Sequence, residues 1–248
     1  MYNTLTIAQR TIVQLARDRR TLALILIVPL VIASLFGVSI PDKTTLNLTL
    51  PAMLATLILF FGFLLSGIAF LRERSQGTRE RLMAAPVSRI DILAGYLLGF
   101  LLFAVVQTLI LFFYSVYVLK VYFRGDLWQI VIFQILIGIL AVCLGIFTSA
   151  FARNEFQMIQ FIPLIIVPQV FVCGLIFPVN QMPDYLQWLA KFLPLTYGVD
   201  GIRALMLQGK GLLDIGKEIG VLVSCAIGLL ILAGISLRRG TSTQNYNE

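Results

Sequence analysis

Residues 50–71 read LPAMLATLILFFGFLLSGIAFL, and residues 72–91 read RERSQGTRERLMAAPVSRID. The first stretch has 22 residues and no charge. As a helix rising 1.5 Å per residue it is long enough to cross ~30 Å of hydrocarbon. The second stretch is dense in arginine, so the apolar run stops abruptly at Arg72. A span followed by a charged turn sets the pattern for the whole chain.

Five further runs of this kind flank it. Together the predicted spans are 21–40, 50–71, 92–119, 127–151, 156–177 and 218–237. Pro163 and Pro168 fall inside the fifth and predict a kink there, because proline cannot donate to the helical ladder. Composition agrees. Of the 248 residues, 59% are hydrophobic and only 12% charged, whereas soluble domains carry roughly 25% charged residues. The mean hydropathy is +0.93. A water-exposed globule of this size cannot hide so much apolar surface. The fold class read from the chain is therefore an all-α integral membrane protein with six transmembrane helices.

Orientation follows from basic residues. Twelve of the 19 Lys and Arg residues, all arginine, lie on one alternating set of flanks, and seven on the other. The acidic residues divide evenly. The excess places both termini and the 72–91 loop in the cytoplasm. It also accounts for the net charge of +7 without invoking nucleic acid. Residues 1–20 lack the layout of a cleavable signal, since their charges are mixed with apolar positions. Thr4–Arg17 reads as an amphipathic interfacial helix, with Leu5, Ile12 and Leu15 towards the membrane and Arg10 and Arg17 towards headgroups. A six-span domain then occupies residues 21–240 and a cytoplasmic tail residues 241–248.

The 72–91 loop carries the most local information. Gly77 breaks the helix leaving the membrane, and Thr78 caps a short new one that Pro86 closes. Ser88 and Asp91 have capping-box spacing before the next span. Leu82 and Met83 offer an apolar knob ringed by Glu73, Arg79, Glu80, Arg81 and Arg89. Such a protrusion suits contact with a soluble partner, while the plainer reading is a solvated connector.

The order Glu73, Gly77, Thr78, Glu80, Leu82, Pro86 resembles the signature loop of type-2 ABC transporter permeases, typified by daunorubicin-type drug exporters and by polysaccharide exporters. The resemblance implies a cytoplasmic coupling helix within residues 72–91, docked on a separate ATP-binding subunit through Glu73, Gly77, Thr78, Glu80, Leu82, Met83, Pro86 and Arg89. It implies ATP and Mg²⁺ on that partner, with no cofactor in this chain. It also implies two copies of the ATPase, a second permease copy (identical or related), and a prokaryotic plasma membrane.

Residues 179–213 hold two half-length amphipathic segments, too short to cross a bilayer, which predict an outer re-entrant hairpin. Thr196 is positioned to cap the second. The string Pro194-Leu-Thr-Tyr197-x-x-Asp200-x-x-Arg203 resembles the corresponding piece of drug-type exporters, so the resemblance implies an outer gate formed by Pro194, Tyr197, Asp200 and Arg203. Asp200 and Arg203, spaced i, i+3, can also simply pair on one helix face. Tyr185, Trp188 and Tyr197 fit an interfacial aromatic belt.

Other chemistry is excluded or weak. There is no histidine, which removes His-based metal sites and Ser-His triads. Cys143, Cys173 and Cys225 lie far apart in apolar runs and read as packing residues. Gly209-Lys210 and Gly216-Lys217 lack the remainder of a phosphate-binding loop. The span cores hold no charge, which counts against a stand-alone channel or ion-coupled carrier. Their neutral polar groups include Gln107, Gln134, Gln160 and Gln169, which either bond between helices or line a path. The expected function is export of lipophilic or amphipathic, drug-like compounds. Lipid-linked polysaccharide export is the alternative within the superfamily.

Overall fold

The computed structural model describes residues 2–75 and 89–239. Among the described residues every regular element is helical. Helix α1 spans Tyr2–Arg17, α2 Arg19–Ser39, α3 Lys43–Ser75, α4 Arg89–Tyr117 and α5 Leu127–Ser149. A bent fifth span follows, made of α6 (Glu155–Phe161), a π-helical turn (Ile162–Ile166) and α7 (Val167–Val172). Then come α8 (Asp184–Ala190), α9 (Pro194–Gln208) and α10 (Gly216–Arg239).

Six of the described helical stretches are long and apolar enough to cross a membrane. All six predicted spans are present, with two shifted boundaries. Helix α3 begins at Lys43, seven residues before the apolar run. Its start is fixed by Asp42, whose carboxylate accepts the Thr45 amide at 2.8 Å and the Thr44 amide at 3.3 Å. The Thr45 hydroxyl, which donates to the same carboxylate at 2.6 Å, and then these capping amides hold the Asp42 carboxyl below its usual range. The cap therefore persists above the ordinary carboxylate pKa and is lost as pH falls through the depressed value. The fifth span ends early, at Val172, and Gly174 follows with φ of +88°, a left-handed conformation that suits glycine. The predicted kink takes the form of the π turn, in which the Val167 amide reaches Ile162 O. Pro168 has no N–H to give Leu164, and the wider turn absorbs the loss.

Helix α3 is the centre of the bundle. Some 78% of its span is buried inside the protein, against 17% for α2 and for α10. It packs mainly on α5, along small residues. Ser66 Oγ donates to Gly62 O at 2.7 Å and reaches Val142 O of α5 at 3.4 Å, and Gly145 of α5 sits directly against it. Small residues let helix backbones approach closely where no water drives them together.

The N-terminal helix departs from expectation. Ile7, Ala8, Thr11 and Leu15 are buried, and they pack on α4 over Gly95 and Gly99. Thr4 Oγ1 also donates to Asp91 at 2.8 Å. Leu15 thus faces protein, while Leu5 is exposed. The cause lies in α4, whose Gly-x-x-x-Gly face lets α1 dock closely, so that Leu15, one of the three positions assigned to lipid, is buried against protein.

Candidate functional site

One candidate region surrounds the end of α3 at Arg72 and Glu73. Arg72 Nε and Nη2 hold Glu155 at the start of α6, at 2.6 and 3.1 Å. This is the two-pronged guanidinium–carboxylate geometry. Arg72 Nη1 reaches Asp18 at 3.4 Å, in the break between α1 and α2. At the end of its span, Arg72 therefore ties α3 to two other elements.

Glu73 turns the other way. Both of its oxygens lie 3.2 Å from Arg10 Nη2 of α1, and its side chain is only 7% exposed. The resemblance groups Glu73 with the partner-contact surface. Within this chain the carboxylate faces inward and locks α1 to the end of α3. A lysine at this position would set two cations together at a nearly buried point. Breaking a buried pair costs about 3–5 kcal/mol, and the half-exposed Arg10 reduces that to about 1–2 kcal/mol here. Glu73→Lys is expected to lower the thermal unfolding midpoint by a few degrees and to expose α1 to protease; Glu73→Gln should do less.

Gly77, Thr78, Glu80, Leu82, Met83 and Pro86, with Ser88, lie outside the described residues. Arg89 opens α4.

The four glutamines separate. Gln107 is buried, and its Nε2 donates to Leu57 O of α3 at 3.4 Å. Gln169 is buried and donates to Ile165 O of its own bent span at 3.0 Å. Gln134 is fully buried, and neither of its amide atoms has a hydrogen-bond partner. Thr108 is likewise fully buried with its hydroxyl unpartnered. Gln160 is exposed on α6. Gln107, Gln134 and Gln169 are thus interior groups and Gln160 is a surface one, so the four do not share one face.

At the opposite end, Arg203 is the organising residue. Its Nε donates to Leu48 O of α3 at 3.2 Å, and its Nη2 to Gly174 O at 2.8 Å. It makes no ion pair with Asp200, which overturns the i, i+3 pairing expected on α9. The two carbonyls offer fixed, converging acceptors, and the guanidinium takes them instead. Burial works against the charge of Arg203 and lowers its pKa, with Asp200 opposing. Although Asp200 is exposed, the surrounding protein raises its pKa above the ordinary value, and Arg203 pulls it back.

Pro194 is the first residue of α9, so Leu193 and not Thr196 stands at its cap. Proline suits that first position because its missing N–H would have no partner there. Thr196 consequently lies inside the helix, with its buried hydroxyl unpartnered. Tyr197 donates to Lys191 O at 2.9 Å, and Lys217 of α10 lies 5.7 Å over its ring. Helix α9 buries Leu195, Val199, Ile202, Leu205 and Met206, while Tyr185 and Trp188 on α8 are exposed. Among the described residues no cluster of potential metal ligands occurs, and all three cysteines are free.

The architecture defines an all-helical, six-span membrane protein whose ion pairs gather where the second span meets its loop. Residues 2–207 match the ABC-2 type transporter family, so the chain belongs to it and is a type-2 ABC permease. It is similar to ABC transporter G family member 20 of Dictyostelium discoideum, with 25% identity over 199 residues, 79% of this chain and 27% of that protein. It is also similar to the probable multidrug ABC transporter permease YbhS of Escherichia coli K12, with 22% identity over 200 residues, 80% of this chain and 53% of that one. Linearmycin resistance permease protein LnrN of Bacillus subtilis is 28% identical over 184 residues, 73% of this chain and 47% of the relative. The chain thus spans about half or less of the length of these relatives. The likenesses do not single out the daunorubicin-type branch.

Proposed function

We propose that this chain is the membrane half of an ATP-driven exporter of lipophilic or amphipathic compounds, energised by a separate ATP-binding subunit. The observation that carries the reading is the family match over residues 2–207. ATP and Mg²⁺ then bind the partner, and the work must reach this chain through a contact. The 72–91 loop suits that contact, because α3 leads directly into it and Arg72 links the same helix end to α6 and to the α1–α2 break.

The assembly pairs two permease copies with two ATPase copies. It sits in a prokaryotic plasma membrane with both termini cytoplasmic, as the arginine asymmetry argues. Residues 179–213 form the outer hairpin, with Pro194, Tyr197, Asp200 and Arg203 at the gate. The names of the multidrug and linearmycin-resistance relatives favour a lipophilic cargo over a glycan.

Two experiments test the proposal. Efflux of a panel of lipophilic drugs is compared in cells with and without the protein. Faster efflux of at least some members is expected, and identical retention of all of them refutes the cargo class. Glu80→Lys is expected to weaken assembly with the ATPase or to leave its hydrolysis running without transport. Wild-type transport and hydrolysis in that variant would move the contact elsewhere.

A further inference from the structure

Beside the end of α3 lies a cavity of about 460 Å³, walled by α1, α2, α3, α4 and α6. Small-molecule sites occupy roughly 300–1,000 Å³. Its floor is formed by Leu65 and Ile68 of α3 and Phe100 of α4. Leu65 and Phe100 are only 6% and 1% exposed. Its two sides are α2, through Leu24 and Ile25, and the bent span, through Ile159 and Ile162. Its charged lining, Asp18, Arg72 and Glu73, is gathered at one end.

Those charges do not select an occupant, because they are engaged with protein. Arg72 is held by Asp18 and Glu155, and Glu73 by Arg10. Their role is to fix the sides: Arg72 joins the start of α6 at Glu155 to the α1–α2 break at Asp18. Another part of the rim is apolar. Leu24 and Ile159 line the cavity and are 48% and 46% exposed. Both belong to stretches long and apolar enough to cross a membrane, so their exposed faces meet hydrocarbon. Between α2 and α6 the chamber is therefore continuous with the surface that the bilayer covers. An empty apolar chamber forfeits the dispersion contacts of its lining. Water there finds polar partners only at the charged end. A hydrocarbon chain from the adjoining bilayer fills the space and leaves no polar group unpaired.

We propose that this cavity is a lipid-binding site in which one acyl chain of a bilayer phospholipid lies between α2 and α6, its end against Leu65 and Phe100. The acyl chain passes from hydrocarbon into an apolar chamber, so dehydration adds little and packing against the walls supplies the affinity. Recognition is accordingly by the acyl chain and not by the headgroup. The bound lipid also gives α2, only 17% of whose span is buried inside the protein, a wall to pack on. The inference concerns a resident lipid and holds whether or not the protein exports a cargo.

The test is photolabelling of the full protein in phosphatidylcholine nanodiscs doped with a phosphatidylcholine that carries a diazirine near the end of one acyl chain. Labelled residues are mapped by peptide mass spectrometry. Ile227 and Ile231 of α10, 52% and 58% exposed, report ordinary contact with surrounding lipid. Label is expected on them and also on Leu65 and Phe100, which surrounding lipid does not reach. Ile159→Trp fills the side opening and leaves every charge in place. It should lower the label on Leu65 and Phe100 at least about tenfold, since a filled chamber resists further atoms, and leave α10 unchanged. The same acyl probe on phosphatidylglycerol should label the floor equally, and a strong preference for either headgroup contradicts recognition by the acyl chain. Label confined to exposed positions in the wild-type protein overturns the proposal, as does full label on Leu65 and Phe100 in Ile159→Trp. A floor labelled by a short water-soluble diazirine and not by the lipid overturns it too, because the chamber then fills from its charged end. Should Ile159→Trp fail to assemble, the wild-type contrast between floor and α10 still decides.

Discussion

Gly145→Val is expected to destabilise the bundle by about 3 kcal/mol, at the upper end of overpacking costs. A Cβ at this position would meet Ser66 Oγ, stand 2.6 Å from Phe63 O and lie 2.9 Å from Gly67 N. Two of those three atoms are backbone, so no rotamer change relieves the clash. The α3–α5 contact must open instead, and α3 is the most buried span. Against a total stability of roughly 5–15 kcal/mol, this is a large share. Thermal unfolding of the purified chain in detergent is the measurement. Gly220→Val on α10 is the control, since nothing lies within 4 Å of that position. A valine there should leave the midpoint close to wild type. Comparable losses in both variants would mean that helix propensity, not the crossing, sets the cost.

Arg203→Met is expected to cost a similar amount for a different reason. The guanidinium donates to two carbonyls, at Leu48 and at Gly174, and so joins α3, the end of the bent span and α9. A hydrogen bond from a charged donor contributes about 1.5–3 kcal/mol, and of the two acceptors left behind Gly174 O is partly buried while Leu48 is exposed. The expected loss is therefore about 3 kcal/mol. Arg203→Lys should recover roughly half of it, because an ammonium cannot span both acceptors as a planar fork does. Asp200→Asn should change stability little, since no ion pair joins Asp200 to Arg203. If Asp200→Asn proves as damaging as Arg203→Met, the helix-face pair is the real contact and the carbonyl bonds are secondary.

The contrast shows what sequence reveals and what it conceals. Span number and most boundaries were legible because a bilayer imposes length and apolarity on each helix separately. The kink was legible at Pro163 and Pro168, which act locally. The start of α3 was missed because Asp42, not apolarity, sets it. The docking of α1 was hidden in plain view, as Gly95 and Gly99 form a close-approach motif on α4. Arg203 gives up the possible pairing with Asp200 for other partners. Its acceptors are carbonyls 155 and 29 residues away, which no local pattern announces. Glu73 was read as surface because its neighbours are charged. Its actual partner, Arg10, is 63 residues distant. Local chemistry is thus readable from spacing, while the pairings that join helices emerge only from the packed bundle.

The central claim is that this permease works through an ATPase carried on another chain. The direct measurement is purification of the protein with and without the product of a neighbouring gene bearing phosphate-binding loops, followed by an assay of ATP hydrolysis. The account predicts a stable complex that hydrolyses ATP, and no hydrolysis by this chain alone. Hydrolysis by the isolated chain, or transport that persists with no ATP-binding partner present, would contradict it.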